Sequence, residues 1–210
     1  MPTTALTTRP PGPTLREGRR RFFSDQGFPA DGGYDESWAE ASFGPIPYAI
    51  PQSRARADAL RVHDLHHVLA GYPADWRSES LISAWELGSG GGGRYLYAWF
   101  IALFGLFVGL LTIPRAVWRA YLRGRGSTNL YREADPGVRL QQPIAEIQRE
   151  LAIRSIRTTP RRATLRDALA FGRWSVAALA LTAVFVLGTP WLVLLAVTRR
   201  MCPFRPCHCS

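Results

Sequence analysis

The sequence predicts an all-α fold whose apolar helices are embedded in or associated with a membrane. Apolar residues recur at three- and four-residue steps over 54–69, as on one face of a helix. Two long runs, 95–113 and 174–197, contain no charged residue, and no stretch shows a convincing strand alternation. A length of 210 residues fits one domain with an appendage.

The basic character of the chain comes from arginine alone. The formal charge is +10 and all 26 basic residues are Arg, which points first to codon bias. The arginines are dispersed and many flank apolar runs, so we expect a membrane surface as the partner. No recognised nucleic-acid-binding motif is present, and we expect no nucleic-acid partner.

The two ends of the chain differ in composition from its body. Residues 1–21 are rich in Thr, Pro and Arg and lack the apolar core of a secretory signal, so we expect a disordered leader. The three cysteines, Cys202, Cys207 and Cys209, all lie in the last nine residues, which excludes an internal disulfide framework in the body. We expect this tail to be unstructured or to be a lipidation-prone segment beside the membrane.

Residues 22–56 are predicted to be rich in loops. Prolines interrupt the run 43–48, which argues against a helix or a central strand and indicates an extended segment packed against helices. A helix follows over 54–69 and ends at Gly71.

The next helix is predicted over 76–87, with Asp75 as its N-cap. The glycine-rich run 88–93 ends it. This run lacks the Lys-Ser/Thr of a phosphate-binding P-loop and follows no predicted strand, so it indicates a hinge or a close approach between helices.

The apolar run 95–113 has two interpretations. Arginines bracket it and aromatic residues cluster at its start, as in a membrane-spanning or membrane-embedded helix, but a fully buried core helix fits as well. The basic, aromatic and amphipathic stretch 116–123 is typical of an interfacial helix. A loop at 124–142 then leads to a short helix over 144–153.

An Arg-rich connector is predicted over 154–173. The second uncharged run, 174–197, follows it and is long enough to span a membrane with some tilt.

Histidines carry the strongest chemical signal, because three of the four in the chain lie within five residues. His63 and His67 are four apart and stack on one helix face, with Asp64 beside them and Glu79 on the next helix. An ordinary helix surface can also show such a pair, but the added carboxylates favour a metal site for zinc, iron or manganese. His66 belongs by spacing to the neighbouring apolar stripe.

The spacing His63-Asp64-x-x-His67-x11-Glu79 resembles the His-Asp-x-x-His-x11-Glu signature of the fourth Coq protein family of ubiquinone biosynthesis. The turn at Gly71 and the helix over 144–153 are also similar to the family.

The resemblance covers roughly residues 20–153, so we expect a Coq-like helical metal-binding domain over 22–153. Residues 154–210, with the long apolar run and the Cys-rich tail, have no counterpart that we identify. Together with the glycine run 88–93, they indicate a divergent branch with an added C-terminal hydrophobic segment.

The resemblance implies a divalent metal, zinc above all, held by His63, Asp64, His67 and Glu79. It implies (oxidative) decarboxylation at the ring carboxylate carbon of a polyprenyl hydroxybenzoate, by a metal-dependent decarboxylase (a lyase) of ubiquinone or related quinone biosynthesis. The expected partners are that polyprenyl quinone precursor, an inner membrane of bacterial type, other quinone-biosynthesis proteins and further copies of the chain. The run 95–113 and the aromatic face at 118–121 are candidates to bind the apolar tail.

Two other functions remain open. In one, the protein is a non-catalytic prenyl-lipid-binding scaffold whose metal only joins two helices. The absence of an obvious separate acid/base group favours it, since Glu86 and Asp75 are more typical of helix-surface charges. A carboxylate-rich ligand set instead favours an enzyme. A membrane metallohydrolase is the third interpretation, but its further histidine ligands are missing because only His208 remains.

Overall fold

A computed structural model of the chain describes residues 12–43, 46–154 and 156–201. The elements are α1 (Leu15–Gln26), β1 (Trp38–Phe43), β2 (Ile46–Pro51), α2 (Arg54–Ala70), α3 (Trp76–Ser89), α4 (Leu96–Thr112), α5 (Pro114–Gly124), two short 3₁₀ turns (Leu130–Arg132 and Pro136–Gln141), α6 (Ile144–Glu150) and α7 (Leu165–Met201). The cysteine-rich tail and the first eleven residues of the predicted leader lie outside the described residues.

The described part of the chain is mostly helical, which confirms the coarse prediction of fold class. The bounds of α2 and α3 lie within two residues of the predicted ones. Gly71 ends α2 in the left-handed region, at φ 79°, which glycine adopts without steric cost. The Asp75 carboxylate accepts hydrogen bonds from the amides of Arg77 and Ser78 and so caps α3.

The expectation that no strand forms is wrong for residues 38–51. β1 and β2 pair as an antiparallel hairpin in which Trp38 faces Pro51 and Phe43 faces Ile46. Both strands of a two-stranded sheet are edge strands. A proline, which has no N–H to donate, is therefore tolerated where that backbone position faces outward. The prolines that exclude a central strand therefore do not exclude this one.

The predicted disordered leader is wrong from Leu15 onwards, where α1 begins. The Thr14 hydroxyl accepts from the Glu17 amide, and the Glu17 carboxylate accepts from the Thr14 amide, which makes a complete capping box. Leu15 and Phe23 are both buried on the inner side of this helix. The cap and these two apolar anchors outweigh the unfavourable composition.

Small residues let α3 approach α4 and α5 closely. A Cβ at Gly88 would lie 2.3 Å from the carbonyl oxygen of Tyr121 on α5, and one at Gly124 would lie 2.2 Å from that of Trp85 on α3. On α4, a Cβ at Gly105 would lie within 2.1 Å of the Ser83 hydroxyl. The glycine at position 88 thus serves a close helix approach, as the sequence predicts for this run.

Helix α4 is only partly buried, and its length is at the short end of the range for helices that cross a bilayer. Its 17 residues rise about 26 Å, less than the hydrocarbon core of about 30 Å. Ala98, Ala102 and Leu106 are buried, whereas Phe104 and Leu111 are exposed. Each of the two predicted interpretations therefore describes one side of this helix.

The amphipathic stretch predicted to lie at a membrane interface forms α5, but its apolar side is covered by protein. Val117 and Tyr121 are almost fully buried. The rings of Trp118 and Tyr121 also contact Phe171 of α7, with centroids about 5 Å apart. The aromatic face proposed for an apolar tail is therefore already occupied by the C-terminal helix.

Helix α7 begins at Leu165, nine residues before the predicted apolar run, so the connector is shorter than expected. Its first half packs on α4, where Trp174 and Trp99 lie 5.3 Å apart between ring centroids. Among the described residues, its part Leu165–Thr189 is the one helix long and apolar enough to cross a membrane.

Candidate metal centre

The three histidines of α2 are all buried, each with at most 3% of its surface exposed. Because His63 and His67 are one turn apart, their rings meet edge to face, with centroids 4.7 Å apart. Their Nε2 atoms lie 3.1 Å from each other. The ring of Phe22, from α1, stacks on His67 at 5.2 Å and covers the cluster on that side.

Helix α3 brings Glu79 to the same point. Its Oε2 lies 3.1 Å from His63 Nε2, and its Oε1 lies 3.4 Å from His67 Nε2. The three ligand atoms all fall within 4.8 Å of one another. The side chain of Glu79 keeps 40% of its surface exposed, so the cluster opens to solvent on this side.

A second layer of acceptors fixes the orientation of both imidazoles. Glu86 is completely buried on α3, and its Oε1 lies 2.9 Å from His63 Nδ1. The carbonyl oxygen of Tyr72 lies 3.0 Å from His67 Nδ1. A carboxylate and a carbonyl only accept, so both Nδ1 atoms carry the hydrogen, and the Nε2 atoms of both rings face Glu79.

His66 has a structural role instead. Its Nε2 accepts a hydrogen bond from the amide of Leu130 at 3.0 Å, and its Nδ1 donates to Glu86 at 2.7 Å. Both ring nitrogens are therefore occupied, and burial lowers the pKa of this imidazole. The rings of Trp85 and Tyr131 pack against it, in keeping with the apolar stripe predicted for this residue.

Asp64, the fourth predicted ligand, is not part of the converging group. It lies about 100° around α2 from His63, and its carboxylate accepts a hydrogen bond of 2.5 Å from the Tyr34 hydroxyl. Burial raises the pKa of Asp64. Its place beside His63 supports a role in the surrounding shell rather than direct coordination.

Electrostatics hold both glutamates of the cluster ionised. Burial raises the pKa of Glu86, but the charge of His63 and hydrogen bonds from His63 and His66 outweigh it and lower the pKa to about 2. Burial also raises the pKa of Glu79, and the charge of His67, with hydrogen bonds from both imidazoles, brings it well below its usual range. The two carboxylates thus make the cluster a favourable place for a cation.

The donor set fits a divalent metal. Two nitrogens bound to zinc at about 2.05 Å in a tetrahedron lie about 3.3 Å apart, close to the 3.1 Å between the Nε2 atoms. Three protein ligands leave a coordination position for water or substrate, which is typical of catalytic rather than closed structural sites. Two imidazoles and a carboxylate suit zinc, iron and manganese alike.

The sequence predicted the converging ligands better than the residues that orient them. Glu86 was predicted to be a surface charge and is instead the most buried carboxylate of the cluster. The seven-residue spacing from Glu79 places both glutamates on one side of α3, which is the signal that could have found it. Asp75, the other acid/base candidate, is the N-cap of α3 and not a site residue.

Comparisons of the chain with protein-family models, with curated proteins and with solved structures found no match. The chemistry of the cluster is therefore inferred from its own residues.

Proposed function

We propose that this chain is a membrane-associated, metal-dependent protein of ubiquinone or related quinone biosynthesis. The reaction that we propose is (oxidative) decarboxylation at the ring carboxylate carbon of a polyprenyl hydroxybenzoate: CO2 leaves, and in the oxidative form a hydroxyl group replaces it while dioxygen accepts the two electrons. One observation supports it most: the Nε2 atoms of His63 and His67 and the carboxylate of Glu79 converge as three possible ligands within 4.8 Å. The spacing that resembles the Coq signature supplies the substrate class.

In this proposal, His63, His67 and Glu79 would hold the metal, which would supply a Lewis acid for the negative charge that develops on the ring. Glu86 and the Tyr72 carbonyl orient the two imidazoles, so that the lone pairs are in place before a ligand binds. The exposed edge of Glu79 gives the route by which a ring carboxylate reaches the cluster.

A groove for an apolar tail lies between α4 and α7. It has a volume of about 450 Å³, and its apolar lining includes Phe100 and Phe104 of α4 and Leu181 and Phe185 of α7. Gly105, the neighbour of Phe104, packs against the backbone of Glu79, because a Cβ there would lie 3.3 Å from the Glu79 carbonyl oxygen. A polyprenyl chain in this groove would therefore lie beside the helix that contacts the metal cluster.

One observation favours the scaffold as the second candidate function. The two histidine ligands belong to α2 and the glutamate to α3, so a bound cation would join these helices whether or not it turns over substrate. The same cluster can thus be a structural clamp.

Glu79→Gln tests the metal site because the amide keeps the shape of the side chain and removes its charge. We expect the metal content of the purified full-length chain to fall from about one ion to near zero, measured by mass spectrometry of the metals. The same change at the exposed Glu36 is the matched control. Full metal content in Glu79→Gln would contradict the assignment of the site.

A deletion strain of the native host distinguishes the enzyme from the scaffold. We expect the deletion to accumulate a carboxylated polyprenyl phenol, and we expect the Glu36→Gln variant to restore the quinone pool. If Glu79→Gln folds, reaches the membrane and fails to restore it, the enzyme is supported. If the metal-free variant restores it, the scaffold is correct, and unchanged quinone in the deletion strain would remove both quinone roles.

A further inference from the structure

The segment that enters α7 carries an unbalanced positive charge. Between 151 and 173 the sequence has six arginines and a single carboxylate, Asp167. The uncharged run of α7 begins directly after Arg173. Arginines so close to an apolar helix stand at the depth of lipid headgroups if that helix enters a bilayer.

The one carboxylate of this segment is already used inside the protein. Asp167 is buried, and its Oδ1 receives Arg125 at 3.1 Å and Arg161 at 2.6 Å. Its Oδ2 accepts from the amide and the hydroxyl of Thr164, at 2.9 and 2.7 Å, and so caps α7. Asp167 therefore anchors Arg161 at the start of the helix.

A small cleft beside this segment is lined by three arginines. It has a volume of about 60 Å³, its charged lining residues are Arg123, Arg154 and Arg161, and Thr158 and Thr159 also line it. The charged residues of the lining thus all have one sign.

Arg123 is held in place within this cleft. Its Nε and Nη2 donate to the Tyr72 hydroxyl, at 3.2 and 2.8 Å, and its Nη1 reaches the carbonyl oxygen of Ile156 at 3.4 Å. Arg161 is held likewise by Asp167. Guanidinium groups fixed in this way bind an anionic oxygen with little loss of side-chain entropy.

We propose that this cleft binds the phosphate of an anionic phospholipid headgroup in the leaflet that α7 enters. Guanidinium groups match phosphate oxygens in charge and in geometry, and the threonine hydroxyls add neutral donors. The exposed apolar side chains of Val176 and Leu179, within two turns of Arg173, place the acyl chains of the same lipid beside α7. The inference rests on the membrane association in the proposed function but not on its metal chemistry.

The test uses the full-length chain in micelles of a neutral detergent that contain either phosphatidylglycerol or phosphatidylcholine. Native mass spectrometry counts the lipids retained by each variant. The double variant Arg154→Gln/Arg161→Gln removes two lining charges and spares Arg123, which contacts Tyr72 near the metal cluster. We expect its affinity for phosphatidylglycerol to fall roughly 25-fold, since each arginine near an anionic surface contributes a factor of about five.

The matched control is Arg20→Gln/Arg21→Gln, which makes the same charge change on exposed positions of α1. We expect the control to retain phosphatidylglycerol as the wild type does, and phosphatidylcholine to be retained equally and weakly by all variants. Equal losses in both double variants would overturn the proposal, because they would show a general charge effect.

Two further measurements keep the result unambiguous. If Arg154→Gln/Arg161→Gln unfolds, the single variant Arg154→Gln gives the same test, with an expected loss of about fivefold. Competition by inorganic phosphate below about millimolar concentration would overturn the lipid as the ligand and leave a free-phosphate site. Metal content is expected to be unchanged in these variants, so failure of this proposal is distinguishable from failure of the metal site.

Discussion

The metal cluster buries charged and polar side chains, whereas the surface of α7 exposes apolar ones. At the cluster, charged and polar groups are buried, but each imidazole has a hydrogen-bond acceptor. Glu86 accepts from His63 and His66, and the backbone carbonyl of Tyr72 accepts from His67. On α7, apolar side chains such as Val184 and Leu187 are 69% and 76% exposed. Buried charge is tolerated where hydrogen-bond partners surround it, whereas exposed apolar surface of this extent marks a contact with lipid or with another protein.

The difference divides the molecule into two regions. The α2–α3 side holds a cluster of possible metal ligands, and the α4–α7 side exposes an apolar surface. Gly105 of α4 connects the two regions. It packs on Ser83 of α3, and its own helix, α4, lines the apolar groove. A substitution in one region should therefore leave the property of the other region, metal affinity or membrane extraction, open to measurement.

The largest effect is expected on the lipid side, from Val184→Arg. A charge in the centre of a spanning helix costs about 3 kcal/mol of insertion free energy, so this variant should be extracted from membranes by alkali far more readily than the wild type. The control is Val138→Arg, since Val138 is similarly exposed but lies in a 3₁₀ turn of the domain. Equal extraction of both variants would show that the exposed face of α7 does not meet lipid.

Helical spacing accounts for what the sequence could predict of the cluster. His63 and His67 follow from the four-residue repeat and Glu79 from the cap and turn that start α3, since these are local properties. Asp64, a predicted ligand as well, lies about a quarter turn around α2 from His63 and is not in the converging group. The donor from Tyr34 that holds it comes from a loop 30 residues upstream, which no local pattern reveals.

The incorrect predictions of the fold also arise from contacts between residues that are distant in the sequence. The capping box of α1, Thr14 with Glu17, was readable in the sequence, but the helix depends on burying Leu15 and Phe23 against the domain. The prediction of an apolar face on α5 was correct, but the predicted partner, a membrane interface, was wrong because Phe171 of α7 covers this face. Amphipathic periodicity gives the face that is buried and leaves open what buries it.

The next largest effect is expected at the cluster, from Glu86→Gln. The amide removes the charge that orients His63, and outer-shell partners of this kind change metal affinity by 10- to 100-fold. A metal titration of the purified chain measures the loss, and Glu36→Gln controls for a change of net charge. Membrane extraction of Glu86→Gln should match the wild type, and unchanged metal affinity would show that Glu86 only supports packing.

A smaller effect is expected where α3 meets α5, from Gly124→Ala. The added methyl group would overlap the Trp85 carbonyl oxygen, so the free energy of unfolding should fall by about 2 kcal/mol. Gly172→Ala is the matched control, because a Cβ at Gly172 on α7 meets open space. Denaturation followed by circular dichroism measures both variants, and equal stability of the two would contradict the close approach.

The smallest effect is expected at the N-terminal cap, from Thr14→Ala. Loss of the hydroxyl leaves the Glu17 amide without its partner and should lower the free energy of unfolding by about 1 kcal/mol. Because α1 carries Phe22 against the ring of His67, fraying of this helix should also loosen the cover of the cluster. Hydrogen exchange of the amides in α1 and α2 measures both effects. Faster exchange confined to α1 would show that the cluster is held by α2 and α3 without this cover, and the comparison with α7 would then rest on those two helices.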